Sequence, residues 1–302
     1  MTKSLRIFGF GLAAVLGMGI GQVAAGEVVI RSNAVGGDAF THTGPNPPRD
    51  KSQAIGATGW NYANVRVGGT VGIDGTYRDP NPTTGSTGSV HFKGTDGNAK
   101  ADVELYAPLG RLGDLTSLSY DWYRSGASAA TAHLHPTLRL IIQGSQGIGY
   151  LIFERVYNAG TAGPAPSDTW THEDLFHTNP GTAGNPTAKM WVNGTEVFSN
   201  TLSDYINLDP AQTLAGNRFG FSEDSLIVGL SSGIGSGWGS FDGGVDNIGI
   251  GFNGLAPTAY NFEVQGVNPV PEPSSLLMGG TCAALGLGLA ALRNRKKRPV
   301  VA

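Results

Sequence analysis

Cysteine is almost absent from this sequence of 302 residues, and charged residues are few. The single cysteine, Cys282, lies close to the C-terminus. This excludes an intramolecular disulfide, and it excludes a cysteine nucleophile or a cysteine-ligated zinc site in the middle of the chain. Charged residues make up 14% of the chain, compared with about 25% in typical soluble domains. Stability must therefore come from an apolar core, for which the 40% of hydrophobic residues suffice.

Positive charge is scarce between the two ends of the chain. Residues 26–265 contain 13 Lys and Arg against 22 Asp and Glu, which gives this part a formal net charge of −9. An acidic surface repels phosphate backbones. We therefore expect no nucleic-acid partner.

Patterns typical of long helices are also missing. The chain contains 47 Gly and 17 Pro, the two residues least compatible with helix interiors. Short segments instead alternate apolar and polar residues, as in the run where Leu118, Tyr120 and Trp122 share one face. About a dozen such segments predict an all-β fold, an antiparallel β-sandwich over residues 26–265.

Two local signals refine this prediction. Asn193-Gly194 lies between two apolar runs, residues 190–192 and 195–198, and this pattern predicts a β-hairpin with a type I′ turn. Residues 203–208 could form a single helical turn.

The N-terminal 25 residues have the features of a secretory signal peptide. Lys3 and Arg6 are followed by an uncharged apolar stretch over residues 7–20, and Ala25 ends a run of small residues. We predict a signal helix that is cleaved after Ala25. A retained anchor is the alternative, but the stretch is shorter than the ~20 residues that a membrane span needs.

The C-terminal end combines three features in a fixed order. A linker over residues 266–275 contains Pro271, Glu272 and Pro273, and residues 276–292 follow without a charge. This stretch is at the lower limit for a transmembrane helix. A basic tail over residues 293–302 would hold that end in the cytoplasm by the positive-inside rule. Its cationic residues are Arg293, Arg295, Lys296, Lys297 and Arg298.

This order of parts resembles the PEP-CTERM sorting signal. The resemblance implies that an exosortase, a membrane cysteine protease, recognises Pro271, Glu272 and Pro273 and removes the tail. It also implies a Gram-negative producer of exopolysaccharide. The protein would first be tethered to the inner membrane and then reach the cell surface or the extracellular matrix. A plain single-span anchor that is never cut is the alternative.

The middle of the chain resembles known β-sandwiches in two places. Residues 189–197 are similar to a hairpin of laminin-G and concanavalin A-like domains, and residues 243–248 to the closing strand of jelly-roll carbohydrate-binding modules. The resemblance implies a jelly-roll, concanavalin A-like sandwich. In such modules the closing-strand Asp often helps to ligate a structural calcium, so Asp246, together with Asp242, is the candidate calcium site. No other cofactor is expected.

Exposed aromatic side chains would mark a sugar-binding surface. Trp60 and Trp238 lie in Gly- and Asn-rich contexts, so we predict that they are exposed and bind ligand. Trp122, Trp170 and Trp191 are predicted to lie in the core, where most tryptophans are largely buried.

No motif in the chain completes a catalytic site. His172 and His177 are five residues apart, whereas a zincin needs four. Asp102 and Glu104 share a strand face without matching the carboxylate pattern of concanavalin-like glycosidases. Residues 229–233 match the nucleophile elbow, but no helix follows. We therefore expect a non-catalytic surface or matrix protein associated with exopolysaccharide. A calcium-dependent, lectin-like glycan-binding module and a polysaccharide hydrolase are the alternatives.

Overall fold

The computed structural model describes residues 26–42, 51–80, 86–158, 163–176, 187–253 and 255–266. The predicted signal peptide, PEP motif, transmembrane helix and basic tail lie outside these ranges. Within the described ranges, no helix is both long enough and apolar enough to cross a membrane.

The described residues form two β-sheets, which we call the front and back sheets. The front sheet has seven strands: β3 (Lys51–Ala54), β4 (Trp60–Val65), β7 (Lys100–Arg111), β9 (Thr137–Gly144), β10 (Gly147–Phe153), β12 (Met190–Val192) and β13 (Leu226–Gly235). The back sheet has eight: β1 (Gly26–Val35), β2 (Phe40–Thr41), β5 (Gly69–Asp74), β6 (Ser89–Gly94), β8 (Leu115–Arg124), β11 (Trp170–Asp174), β14 (Phe241–Phe252) and β15 (Thr258–Gln265). The predicted all-β, two-sheet architecture is confirmed.

Strand order places distant parts of the chain side by side. The front sheet runs β12–β10–β9–β13–β7–β4–β3, so that β13 lies between β9 and β7. In the back sheet, β14 pairs with β8 along one edge and with β6 and β15 along the other. The pairs β9–β10, β7–β13 and β9–β13 of the front sheet are antiparallel. The pairs β6–β14 and β8–β14 of the back sheet are antiparallel as well.

The two sheets share one apolar core between them. Leu118, Tyr120 and Trp122 of β8 are fully buried on the inward face, as their alternation predicts. Leu140 of β9 and Leu230 of β13 enter the same core from the front sheet. Burial of a large apolar side chain contributes about 1.5–3 kcal/mol, so this interior explains how a fold without disulfides is held together.

One short helix, α1 (Leu202–Ile206), lies near the predicted helical turn. Thr201 caps it, because the Thr201 side chain accepts a hydrogen bond from the Asp204 backbone N–H while the Asp204 side chain accepts one from the Thr201 backbone. This reciprocal capping box satisfies two amide groups that the first turn would leave without partners.

The Asn193-Gly194 turn is present, but the predicted hairpin is wrong. Gly194 has a positive φ of 75°, but Asn193 does not have the positive φ that a type I′ turn also needs, and residues 195–198 form no strand. Strand β12 pairs instead with β10, where Leu151 lies opposite Val192. The chain returns to β12 only at Asn200, whose carbonyl accepts a hydrogen bond from the Met190 N–H at 2.9 Å.

The prediction that Trp60 is an exposed sugar-binding residue is also wrong. Trp60 begins β4 and is fully buried. Its ring packs edge-on against Tyr260 and Phe262 of the back sheet, with centroids 5.2 and 5.0 Å apart. Trp60 and Tyr62 are both fully buried and alternate with the partly exposed Asn61, so β4 presents its apolar face to the core.

Candidate functional site

The outward face of the front sheet carries one aligned row of side chains, which we call the front rung. Strand registers place one residue from each of six strands in this row. Its members are Trp191 (β12), Ile152 (β10), Arg139 (β9), Ser231 (β13), Glu104 (β7) and Asn61 (β4). Because side chains alternate along a strand, the neighbours Leu140, Leu151 and Leu230 face the core. An aromatic, a basic, an acidic and an amide side chain therefore share one surface.

A cleft of about 660 Å³ opens on this face. Three aromatic residues line it: Tyr150, Trp191 and Trp238. Its charged residues are Arg66, Lys100, Asp102, Arg139 and Glu154. Thr137, Asn193 and Ser236 add uncharged polar groups. Both its size and its combination of aromatic and polar groups are typical of sites for small or oligomeric ligands.

Small residues on β13 shape the floor of this cleft. At its outward positions, β13 carries Ser231 and Gly233, between β9 and β7. Arg139 can therefore reach across β13, donating to Ser231 Oγ at 3.2 Å and to Asp102 Oδ1 at 2.8 Å. A Cβ at Gly233 would lie 2.0 Å from Asp102 Oδ1. Glycine at this position is thus required for the Arg139–Asp102 ion pair.

Asp102 is fully buried and is held from three sides. Lys100 Nζ lies 3.1 Å from its Oδ2 atom, and Asn64 Nδ2 donates to the same oxygen at 2.8 Å. Arg139 contacts the other oxygen and is 11% exposed. Charge-assisted hydrogen bonds of this kind are stronger than neutral ones, so the cationic groups on the floor keep a defined position.

Glu104 holds Tyr150, one of the three aromatic residues that line the cleft, through a hydrogen bond. Asn64 Nδ2 and the Tyr150 hydroxyl donate to Glu104 Oε1 at 3.0 and 3.3 Å, and the Tyr106 hydroxyl donates to Oε2. Burial raises the pKa of Glu104, and the negative charge of Asp102 raises it further. Glu104 thus fixes the position of Tyr150, which lines the cleft.

Trp191 was predicted to lie in the core, and this is wrong: it is partly exposed and lines the cleft. Its neighbours Met190 and Val192 are buried, so the residue between them must face outward. The same holds for Trp170 on the back sheet, which is partly exposed and packs against Tyr123. Only Trp122 of the three is a core residue.

Trp238, which was predicted to be exposed and to bind ligand, is partly exposed and lines the cleft. Its ring packs edge-on against Phe241 with centroids 5.4 Å apart. The flat indole surface and the partly exposed Trp191 thus provide two aromatic contacts in one site. The apolar faces of sugar rings pack well on such surfaces, while sugar hydroxyls pair with Arg, Asp and Asn side chains.

The two candidate calcium ligands do not form one site. Both belong to β14, four residues apart, which corresponds to about 13 Å along an extended strand. Asp242 lies opposite Lys93 and accepts a hydrogen bond from the Tyr77 hydroxyl at 2.9 Å. In the described part of the chain, no three His, Cys, Asp or Glu side chains are grouped closely enough to hold a metal ion. Asp242 and Asp246 therefore do not share one metal site, and their roles as calcium ligands stay a prediction.

Asp246 instead belongs to a buried hydrogen-bond network. Its Oδ1 atom accepts from the backbone N–H groups of Asn247 and Phe262, both at 2.8 Å. Burial raises its pKa well above the usual value, and the nearby charges of Asp79 and Glu263 act in the same direction. Asp246 thus connects β14 with β15 through its hydrogen bond from Phe262.

The comparisons with known proteins return few matches. No family model matches the chain, and no curated protein matches it. A family 11 carbohydrate-binding module from Clostridium thermocellum, solved with a β-1,3-1,4-mixed-linked tetrasaccharide, aligns with a TM-score of 0.36 and 13% identity over 68% of this chain and 97% of the module. The family 11 module of a cellulosomal cellulase from the same organism aligns with a TM-score of 0.34 and 12% identity, over 78% of this chain and 99% of that one.

Proposed function

We propose that the β-sandwich binds a polysaccharide through the cleft of the front sheet. The observation that carries this proposal is the presence of Tyr150, Trp191 and Trp238 around a floor built from the Arg139–Asp102 pair. Aromatic rings would pack on the sugar faces, and the fixed polar groups would bind the hydroxyls. The buried Glu104 and Asp102 hold these groups in place before ligand arrives, which lowers the entropic cost of binding.

A non-catalytic role agrees with the two carboxyl groups of the site. Asp102 and Glu104 are two residues apart on β7, or about 7 Å, a spacing at which glycosidase carboxylates do occur. However, Arg139 and Lys100 both hold Asp102, and Glu104 is fully buried beneath tyrosine hydroxyls. Neither carboxyl group is therefore free to act as a general acid or base.

The proposal includes delivery of the module to its ligand. The signal peptide would export the chain, and the PEP motif at Pro271, Glu272 and Pro273 would direct exosortase processing at the inner membrane. The jelly-roll domain would then meet exopolysaccharide at the cell surface or in the matrix. A binding module with an acidic net charge suits a matrix-associated role.

Substitution of Trp191 tests the proposal. We expect Trp191→Ala to weaken polysaccharide binding by the full chain by about tenfold, because one aromatic stack is worth roughly 1.5 kcal/mol. Binding would be measured by affinity electrophoresis and by calorimetry against soluble polysaccharides. Trp170→Ala is the matched control, since Trp170 is also partly exposed but lies on the back sheet. Equal losses in both variants, with both proteins folded by circular dichroism, would contradict the proposal.

A further inference from the structure

The outward face of the front sheet continues beyond the cleft into an apolar area. Tyr106, Ile148 and Leu226 are 55%, 57% and 47% exposed, and we call these three residues the apolar shelf. Single exposed apolar residues are common on protein surfaces. Here, three of them stand on the same face of one sheet, beside the cleft.

Strand registers connect the apolar shelf to the cleft. The rung next to the front rung contains the cleft residue Tyr150, then Ile141, Gly229 and the shelf residue Tyr106. In the following rung, Gln143 lies opposite Ile148 on one side and opposite Leu226 on the other. Successive rungs are about 7 Å apart along the strands. A polysaccharide that leaves the cleft along the strands therefore passes over the shelf.

The chemistry of the shelf differs from that of the cleft. Ile148 and Leu226 present branched aliphatic groups, which offer no hydrogen bond to a sugar hydroxyl. A hydroxyl pressed against them would lose water without gaining a partner, at a cost of about 1–3 kcal/mol. An unsubstituted sugar residue therefore gains little from this surface.

Gln143 supplies a polar group between the two aliphatic residues. Its side chain is exposed, and its Nε2 atom donates one hydrogen bond to the Gly144 carbonyl at 2.9 Å. A primary amide carries two N–H groups, so a second donor is available beside the methyl groups of Ile148 and Leu226. A hydrogen-bond donor flanked by aliphatic groups is complementary to an ester, which has a carbonyl acceptor next to an alkyl group.

From this complementarity we propose that the apolar shelf binds O-acyl substituents of the polysaccharide held in the cleft. The proposal rests on the proposed polysaccharide binding and specifies its ligand class, namely an acylated chain. The acyl methyl groups would pack on Ile148 and Leu226, and Gln143 would donate to the ester carbonyl. Tyr106, whose hydroxyl is already bound to Glu104, would contribute the face of its ring.

Deacylation of the ligand tests this inference. A panel of O-acetylated linear polysaccharides, each assayed before and after mild alkaline deacetylation, would be titrated with the full chain. We expect the acetylated form to bind about fourfold more tightly for each methyl group buried. Ile148→Ser and Leu226→Ser should reduce this preference, and together they should abolish it. Leu255→Ser is the matched control, because Leu255 is 51% exposed and lies outside the strands of both sheets.

The outcomes separate this inference from the proposed function. Equal affinity for both forms, with binding still lost in Trp191→Ala, would overturn the acyl proposal and leave polysaccharide binding in place. No binding to any member of the panel in either form would overturn both. A change of oligomeric state in Ile148→Ser, measured by light scattering, without a change in acetyl preference would make the shelf an interface between copies and overturn the acyl proposal.

Discussion

At the residue scale, the absence of a side chain at Gly233 is what allows the ion pair in the cleft to form. A Cβ there would meet Asp102 Oδ1 at 2.0 Å and the Ala101 carbonyl oxygen at 2.5 Å. We expect Gly233→Ala to displace Asp102 from Arg139, to reduce the free energy of unfolding by about 1–3 kcal/mol, and to weaken polysaccharide binding.

The measurements are urea unfolding and ligand titration of the same variant. Gly97→Ala serves as the control, because a Cβ at Gly97 has no atom within 4 Å. If both alanine variants unfolded at the same urea concentration as the unmodified protein, the requirement for glycine at position 233 would be disproved.

At the scale of elements, His91 connects three strands of the back sheet. From β6, its Nδ1 atom lies 2.7 Å from Asp74 Oδ2 on β5, and its Nε2 atom lies 2.8 Å from Asp242 Oδ1 on β14. Burial alone would lower the pKa of His91, but the hydrogen bonds and charges of Asp242 and Asp74 raise it overall. Burial acts to raise the pKa of Asp74, yet the hydrogen bonds from His91 and Thr76 lower it to about 2.

These shifts predict a pH dependence with a definite sign. Since its folded pKa is raised, protonated His91 stabilises the fold fully below its unfolded pKa, and this contribution is lost as the pH rises through the folded pKa. We expect His91→Leu to reduce the free energy of unfolding by about 2 kcal/mol at pH 5 and by less at pH 9. Urea unfolding at the two pH values measures the difference. A loss that did not change with pH would show that His91 acts without its charge.

At the scale of the whole molecule, Trp60 joins the two sheets. It belongs to the front sheet and packs on Tyr260 and Phe262 of the back sheet. Removal of this ring should leave a cavity between the sheets and reduce the free energy of unfolding by about 3–5 kcal/mol. Trp170→Ala, on the outer surface, should cost about 1 kcal/mol.

Thermal unfolding followed by far- and near-UV circular dichroism measures this effect. Because one core serves both sheets, the two signals of Trp60→Ala should change together at a lower temperature. Two separate transitions would mean that the sheets unfold independently and that Trp60 does not couple them.

Much of the fold could be predicted from local pattern, but less of the site. The run around Trp122 shows its buried face directly, because its polar neighbours alternate with large apolar residues. Trp60 and Tyr62 alternate with Asn61 in the same way, but the Gly- and Asn-rich context of Trp60 favoured an exposed position. Trp191 was misassigned because most tryptophans are largely buried, so that a core position was expected for it. Alternation places the indole of Trp191 on the face opposite to Met190 and Val192, but it does not say which of the two faces is buried.

The sequence by itself determined the all-β character of this protein, the acidic charge of its central part, and the absence of disulfide support, since these depend on composition and on the period of short segments. Only the tertiary structure decided which tryptophans face the core and which face the cleft, because alternation defines two faces without saying which one the second sheet covers. It also decided that Arg139 meets Asp102. That contact depends on β13, far away in the chain, lying between their strands with the small residues Ser231 and Gly233 at the positions that separate Arg139 from Asp102.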